Sequence, residues 1–193
     1  VTLPRLTNDP LPPYSYVPGQ SPHPHSDPAG HGFGRHLPPV VDVDSERWRG
    51  CHRYLLGLDL FNHGFYWEAH EAWEAVWNAI GRHGRTATYL KALIQLAVVG
   101  VKIRQGMPLS ALAHARRAAE LLRLVSRDAV EPCFMGLHLH GLTEAAEKLA
   151  DSPPPGGDGV RDVQVLFSFM LLPANDSGFM PGPERQTLGR ERT

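Results

Sequence analysis

From Trp48 onward the apolar residues recur at steps of three and four. Trp48, Cys51, Leu55 and Leu58 come first, then Phe65, Ala69, Ala72, Trp73, Val76 and Ile80. Residues so spaced share one side of an α-helix, which turns once every 3.6 residues. The pattern predicts a first helix opening at Asp44-Ser45, which offers an N-cap, and closing near Asn62-His63-Gly64. A second is predicted across FYWEAHEAWEAVW, from Phe65 to Trp77, stopping at Gly81, with Trp77 extending the apolar face on its flank. A third runs from about Thr86 to Arg104; its LKALIQLAVVGVKI section is apolar nearly all round, as expected of a helix buried on several sides. Gly106 closes it, and Pro108 suits the first turn of a fourth helix. That helix reaches about Ser126, burying Leu112, Ala115, Ala119 and Leu122 and showing Arg116, Arg117 and Arg123 to solvent. A shorter fifth is expected around Leu142–Ala150. The fold class is all-α: a compact bundle of four to five helices in antiparallel hairpins.

Proline sets the boundaries of that bundle. Ten of the 18 prolines fall in residues 1–43 and none in 44–107, while Pro153, Pro154 and Pro155 open the tail. Proline removes a backbone donor and fixes φ, so the proline-free span is the helical body. The division is a Pro/His-rich extended arm (1–43), a helical domain (44–151) and a Pro/Gly-rich tail (152–193). Within the tail, VQVLFSFMLL (Val163–Leu172) is apolar and β-prone, and is expected to pack as an extended strand across the bundle. From about Asn175 the composition is that of a disordered end.

Bulk composition narrows the picture further. Across 193 residues the hydrophobic content is 42% and the net charge is −1, which gives no global pull toward nucleic acid or membrane. The two cysteines, Cys51 and Cys133, lie far apart with no CxxC spacing, which argues against a disulfide scaffold or zinc ribbon and for a cytoplasmic setting. No apolar run approaches the roughly 20 residues of a membrane helix, and VTLPRLTNDP at the N-terminus has no signal-peptide character.

GFYWEA, from Gly64, and GMPLSA, from Gly106, each place an alanine five residues after a glycine and each open a helix. This internal echo resembles a tetratricopeptide array, whose period is about 34 residues. FNHGFYWEAHEAWEAVW (Phe61–Trp77), LKALIQLA (Leu90–Ala97) and the Gly106 to Ala111 turn together resemble the family described as domain of unknown function 309, over about Leu55 to Val125. LPPYSYVPG (Leu11–Gly19) and PHPHSDPAGH (Pro22–His31) look like the leader of its longer members. The resemblance implies a compact helical bundle of tetratricopeptide-like character. It implies no established reaction, so no catalytic residue carries over.

Candidate chemistry centres on the second helix. Trp67, Glu71, Glu74 and Asn78 form a stripe beside the apolar face; Glu68 and Glu71 are i,i+3 neighbours, and His70 meets Glu74 at i,i+4. HEAWE opens like the zincin HExxH but has Glu74 where the second histidine belongs, so that motif fails. Imidazole with carboxylates can still bind a divalent metal, given ligands from elsewhere. A ferritin-like centre would need Glu-x-x-His on each of two helices, and the helical body has no such pair. On the third helix Lys91, Gln95 and Lys102 form a stripe expected to face Glu71 and Glu74 as a semi-buried polar seam. The candidate cluster is therefore Glu68, His70, Glu71, Glu74, Lys91 and Gln95.

Four of the 11 histidines, His23, His25, His31 and His36, lie in the arm. If the arm docks in extended form, His23, His25 or His31 could approach His70 and Glu71 and complete a metal site with His70, Glu71 and Glu74. Charge is also segregated: residues 82–127 hold nine Lys or Arg against Glu120 alone, whereas 54–81 hold only acids. Three functional readings follow. The first is a protein- or peptide-interaction module, with which a homo-oligomer is compatible. The second is a metal-assisted or acid–base, hydrolase-like enzyme using His70, Glu71 and Glu74. The third is anion or RNA binding by the basic half, the nucleic-acid form being disfavoured because no recognition motif or aromatic stacking platform accompanies it.

Overall fold

A computed structural model describes residues 3–35, 39–40, 43, 45–127, 129–155 and 163–174. The helices are α1 (His52–Asn62), α2 (Tyr66–Ala79), α3 (Gly84–Arg104), α4 (Pro108–Ser126) and α5 (Leu139–Asp151). Each packs on the next along the chain, and short turns fold α2, α3 and α4 each back onto its predecessor. The all-α bundle is thus the architecture. Its one sheet among the described residues is a two-strand antiparallel hairpin, β1 (Cys133–Phe134) with β2 (Leu137–His138).

Boundaries shift where local chemistry outweighs periodicity. Trp48 lies in a 3-10 turn, Trp48–Gly50, and α1 begins only at His52 after a break at Cys51 (φ −84°, ψ 88°). Asp44, the expected cap, lies outside the described residues, as do His36 and the end from Asn175. α3 opens two residues before Thr86, and α5 three before Leu142, straight out of the hairpin. On α4, Ala115, Ala119 and Leu122 are buried but Leu112 is only partly so. α3 is long and apolar enough to cross a membrane by length and composition alone; 67% of its apolar window is buried inside the bundle, where Leu90, Leu93, Leu96 and Ala97 are fully enclosed.

The sequence echo is also a structural one. Gly64 (φ +84°) and Gly106 (φ +69°) end α1 and α3 in the left-handed conformation that glycine adopts at little cost. In each case the following N–H reaches back five residues, Phe65 to the Leu60 carbonyl at 2.8 Å and Met107 to that of Lys102 at 2.9 Å. Phe65 and Met107 then take nearly the same backbone angles (φ −91°, ψ 66° and φ −109°, ψ 67°) before the next helix starts. Ala69 and Ala111, the echoed alanines, are both fully buried. Two helix-turn-helix units of the same turn geometry therefore stand side by side.

Two extended segments cross this bundle. The N-terminal arm buries Ser15, Tyr16 and Val17, and the apolar C-terminal strap buries Leu166, Phe167, Met170 and Leu171. Both converge on the turn between α1 and α2.

Candidate functional site: the α1–α2 corner and its two extended segments

The corner, DLFNHGFYWE from Asp59 to Glu68, owes its chemistry to polar groups set into apolar helix faces. Asp59, fully buried on the last turn of α1, accepts hydrogen bonds from the Leu6 N–H (2.7 Å), the Thr7 N–H (2.8 Å) and the Thr7 hydroxyl (2.7 Å). The Arg5 guanidinium lies 3.1 Å from the same carboxylate. Buried charge is tolerated when it is paired and hydrogen-bonded in this way.

One helix on, Glu68 is 6% exposed and accepts from the Tyr16 N–H at 2.8 Å; the His31 Nε2 sits 3.1 Å from the same oxygen. The neighbouring arm residue is held from both sides: the Ser15 hydroxyl donates to the Gly64 carbonyl (3.0 Å), and Arg104 Nη1 donates to the Ser15 carbonyl (3.4 Å). Burial lowers the pKa of the Arg104 guanidinium, and the Glu68 carboxylate pulls it back up. Trp67 completes the seat: Tyr16 meets its ring edge-on at 4.9 Å, and His23 at 6.0 Å.

The strap uses the intervening residues. Asn62, 3% exposed, accepts from the Leu171 N–H (2.7 Å) and donates to the Leu171 carbonyl (3.0 Å), as a neighbouring strand would. The Tyr66 hydroxyl accepts from the Leu166 N–H at 2.8 Å, and Phe167 stacks on Phe61 at 5.3 Å. Four side chains on one corner, Asp59, Asn62, Tyr66 and Glu68, thus satisfy extended backbone that a helical bundle cannot pair by itself, while the Gly64 carbonyl takes the Ser15 hydroxyl.

The residues singled out from the sequence divide across this geometry. Glu68 belongs to the corner. Glu71 is half-buried with His25 Nε2 at 3.3 Å, while His70 Nε2 lies 3.9 Å from Glu74. Burial lowers the His70 pKa against the pull of Glu74 and Glu71. The arm does dock, but His25 and His31 land on different carboxylates and His23 on Trp67. Among the described residues no three or more His, Cys, Asp or Glu side chains are grouped to hold a metal ion.

The expected seam on α3 does not form as one stripe. Lys91 stands over the Trp77 ring (4.5 Å), Gln95 turns to His114 of α4 (2.7 Å), and Lys102 bonds Gln105 (2.9 Å). The reason is that α3 is enclosed between α2 and α4, so Lys91 turns to α2, Gln95 to α4 and Lys102 to the C-terminal end of α3 itself. Several basic residues likewise have internal partners, Arg123 with Glu147 at 2.6 Å and Arg117 with Glu120 at 2.9 Å.

Asp59 and Asn62 were not among the sequence candidates. Their signal was present: each is a lone polar residue in LLGLDLFN, on turns otherwise committed to the core.

Residues 54–114 match the model of the family described as Domain of unknown function (DUF309), the family whose resemblance the acidic helix carries. No curated protein and no solved structure matches the chain. The matched span opens at Tyr54 and so includes every corner residue that grips the arm and strap.

Proposed function

We propose that the bundle is a peptide-interaction module whose α1–α2 corner binds extended backbone, and that the N-terminal arm is its resident ligand. The observation that carries this reading is the use of two buried carboxylates, Asp59 and Glu68, to receive arm backbone N–H groups rather than side chains alone. A carboxylate that reads main-chain donors accepts many sequences in extended form. The flanking contacts to Arg5, Thr7 and Ser15 then select among them. Proline on both sides of Tyr14–Val17 lowers the entropy lost when such a segment is ordered. A cytoplasmic location suits this reading, since Cys51 and Cys133 are unpaired thiols.

The test uses the full chain with a protease site placed between Arg35 and Ser45. After cleavage, a fluorescent peptide of residues 1–35 is added in excess and its anisotropy followed. Incorporation under native conditions, blocked when Tyr16 of the peptide is N-methylated, is the expected result. A peptide that enters only at the denaturation midpoint would show the arm to be a fixed structural element.

A further inference from the structure

A separate cleft of about 700 Å³ opens away from the corner, between the 3-10 turn at Trp48, the start of α3 and the β1–β2 hairpin. Two arginines line it, each laid on an aromatic ring: Arg49 lies 4.4 Å from the Trp48 ring centroid and Arg85 lies 4.6 Å from that of Phe134. The Arg85 Nε donates to the Val125 carbonyl at 3.1 Å. Among the described residues neither guanidinium has a carboxylate within ion-pair distance.

Both aromatic platforms are fixed from below. Trp48 is buried and meets the fully buried Tyr54 edge-on at 6.0 Å. Phe134 meets the fully buried Tyr89 at 5.0 Å. The Tyr54 and Tyr89 hydroxyls bond each other at 2.9 Å, and Tyr54 donates onward to the Met135 carbonyl at 2.8 Å.

Met135 itself holds φ +46°, and Gly136 follows at +82°. Two successive left-handed residues make a tight hairpin turn, and a methionine is an unfavourable residue for the first of them. Such strain persists only where the surroundings over-determine it. Here the Tyr54 bond and the Trp48 ring do so, the ring lying so close that a side chain at Gly136 would meet it at 2.4 Å.

We infer that this cleft binds a small oxyanion-bearing molecule, a phosphate or a carboxylate, between Arg49 and Arg85. A guanidinium held over an aromatic ring offers a planar fork of donors that matches an oxyanion. The volume lies within the usual range for small-ligand sites. Two carboxylates share the lining, Glu46 and Glu131. Both are exposed; Glu46 has an interaction of its own, and Glu131 acts as a brake on anion affinity.

Calorimetric titration of the full chain with inorganic phosphate and, separately, with citrate in a non-coordinating buffer tests this. At least one probe binds, each of Arg49→Ala and Arg85→Ala weakens it by about tenfold or more, and Glu131→Gln strengthens it by about two- to fivefold. Binding by phosphate alone or by citrate alone assigns the ligand class. Because Arg49 is exposed, its alanine variant should keep the wild-type melting temperature, so lost binding there is not lost folding. No binding of either probe at millimolar concentration, or binding untouched by both arginine substitutions, overturns the inference.

Discussion

Replacing Asp59 by asparagine isolates what holds the arm. The change keeps the side-chain volume and one carbonyl oxygen, but it removes the charge facing Arg5 and sets an amide donor where an acceptor stood. The wild-type carboxylate takes three hydrogen bonds of 2.7–2.8 Å besides the 3.1 Å contact with Arg5, at zero exposure. Hydrogen bonds to a charged group contribute about 1.5–3 kcal/mol each, and breaking a buried pair costs about 3–5 kcal/mol. These figures do not add, because residues 3–9 can lift off while Tyr16 and Val17 stay seated; release limits the loss. About 3 kcal/mol is therefore the expected destabilisation, equivalent to a fall in melting temperature of roughly 6–12 °C for a chain of this size.

Two measurements check the reasoning together. Chemical denaturation gives the magnitude, and hydrogen exchange gives the place. The Leu6 and Thr7 amides should lose protection in Asp59→Asn while those of Leu93 and Ala97 in α3 keep theirs. A double-mutant cycle with Thr7→Val should show the two substitutions to be strongly non-additive, since the hydroxyl bond is lost in both. Unchanged protection at Leu6 and Thr7, or a melting temperature equal to wild type, would refute the anchoring role.

Three further perturbations probe the same corner and its neighbour. Gly64→Ala forces a side chain into the left-handed region and within 2.5 Å of the Gln164 carbonyl oxygen, so it should cost about 2 kcal/mol by denaturation and free the strap. Asn62→Ala leaves the Leu171 N–H and carbonyl without their partner, with an expected loss of about 2–3 kcal/mol and new proteolytic cleavage at Phe167–Phe169. His70 has a pKa lowered by burial, so the unfolded chain binds its proton more readily than the folded one. Its contribution to stability is intact above the ordinary histidine range near 6.5 and falls as the pH drops toward the lowered value. His70→Gln should flatten that part of the stability–pH curve, and an identical curve in wild type and variant would contradict the assignment.

The bundle was legible because helical periodicity reports burial directly. Ala69, Ala72, Trp73 and Val76 are all buried on one face of α2, with Phe65 buried at its cap, as their spacing requires. The turns were legible because Gly64, Gly81 and Gly106 each sit where left-handed backbone is needed. The β1–β2 hairpin was not, since Met135 is no turn residue and takes its positive φ from tertiary contacts. The site was half legible for a related reason. Acids grouped on a polar stripe look like chemistry, whereas the carboxylates that take the arm's backbone N–H groups, Asp59 and Glu68, are the buried ones. Asp59 carries no local sign of its partner, which lies 52 residues away at Thr7. Pairing between a helix and an extended arm has no period to detect.

The acidic helix also makes the metal reading and the arm reading compete for the same groups. His31 with Glu68 and His25 with Glu71 form two separate histidine–carboxylate pairs, at 3.1 and 3.3 Å. A divalent ion commonly takes four ligands in a closed site, or three where a position stays open to water. To gather a third, the arm would have to shift along α2, and Glu68 would lose the Tyr16 N–H, which it holds at 2.8 Å. Zinc binding at these residues must therefore deprotect Tyr16, while zinc that binds elsewhere or not at all must leave it unchanged. Hydrogen exchange at the Tyr16 amide, followed during a zinc titration, separates the two cases. The arm geometry predicts no change up to stoichiometric zinc. Deprotection that saturates at one equivalent, and that vanishes in Glu71→Gln, would mean that the acids serve a metal and that the arm is only its lid.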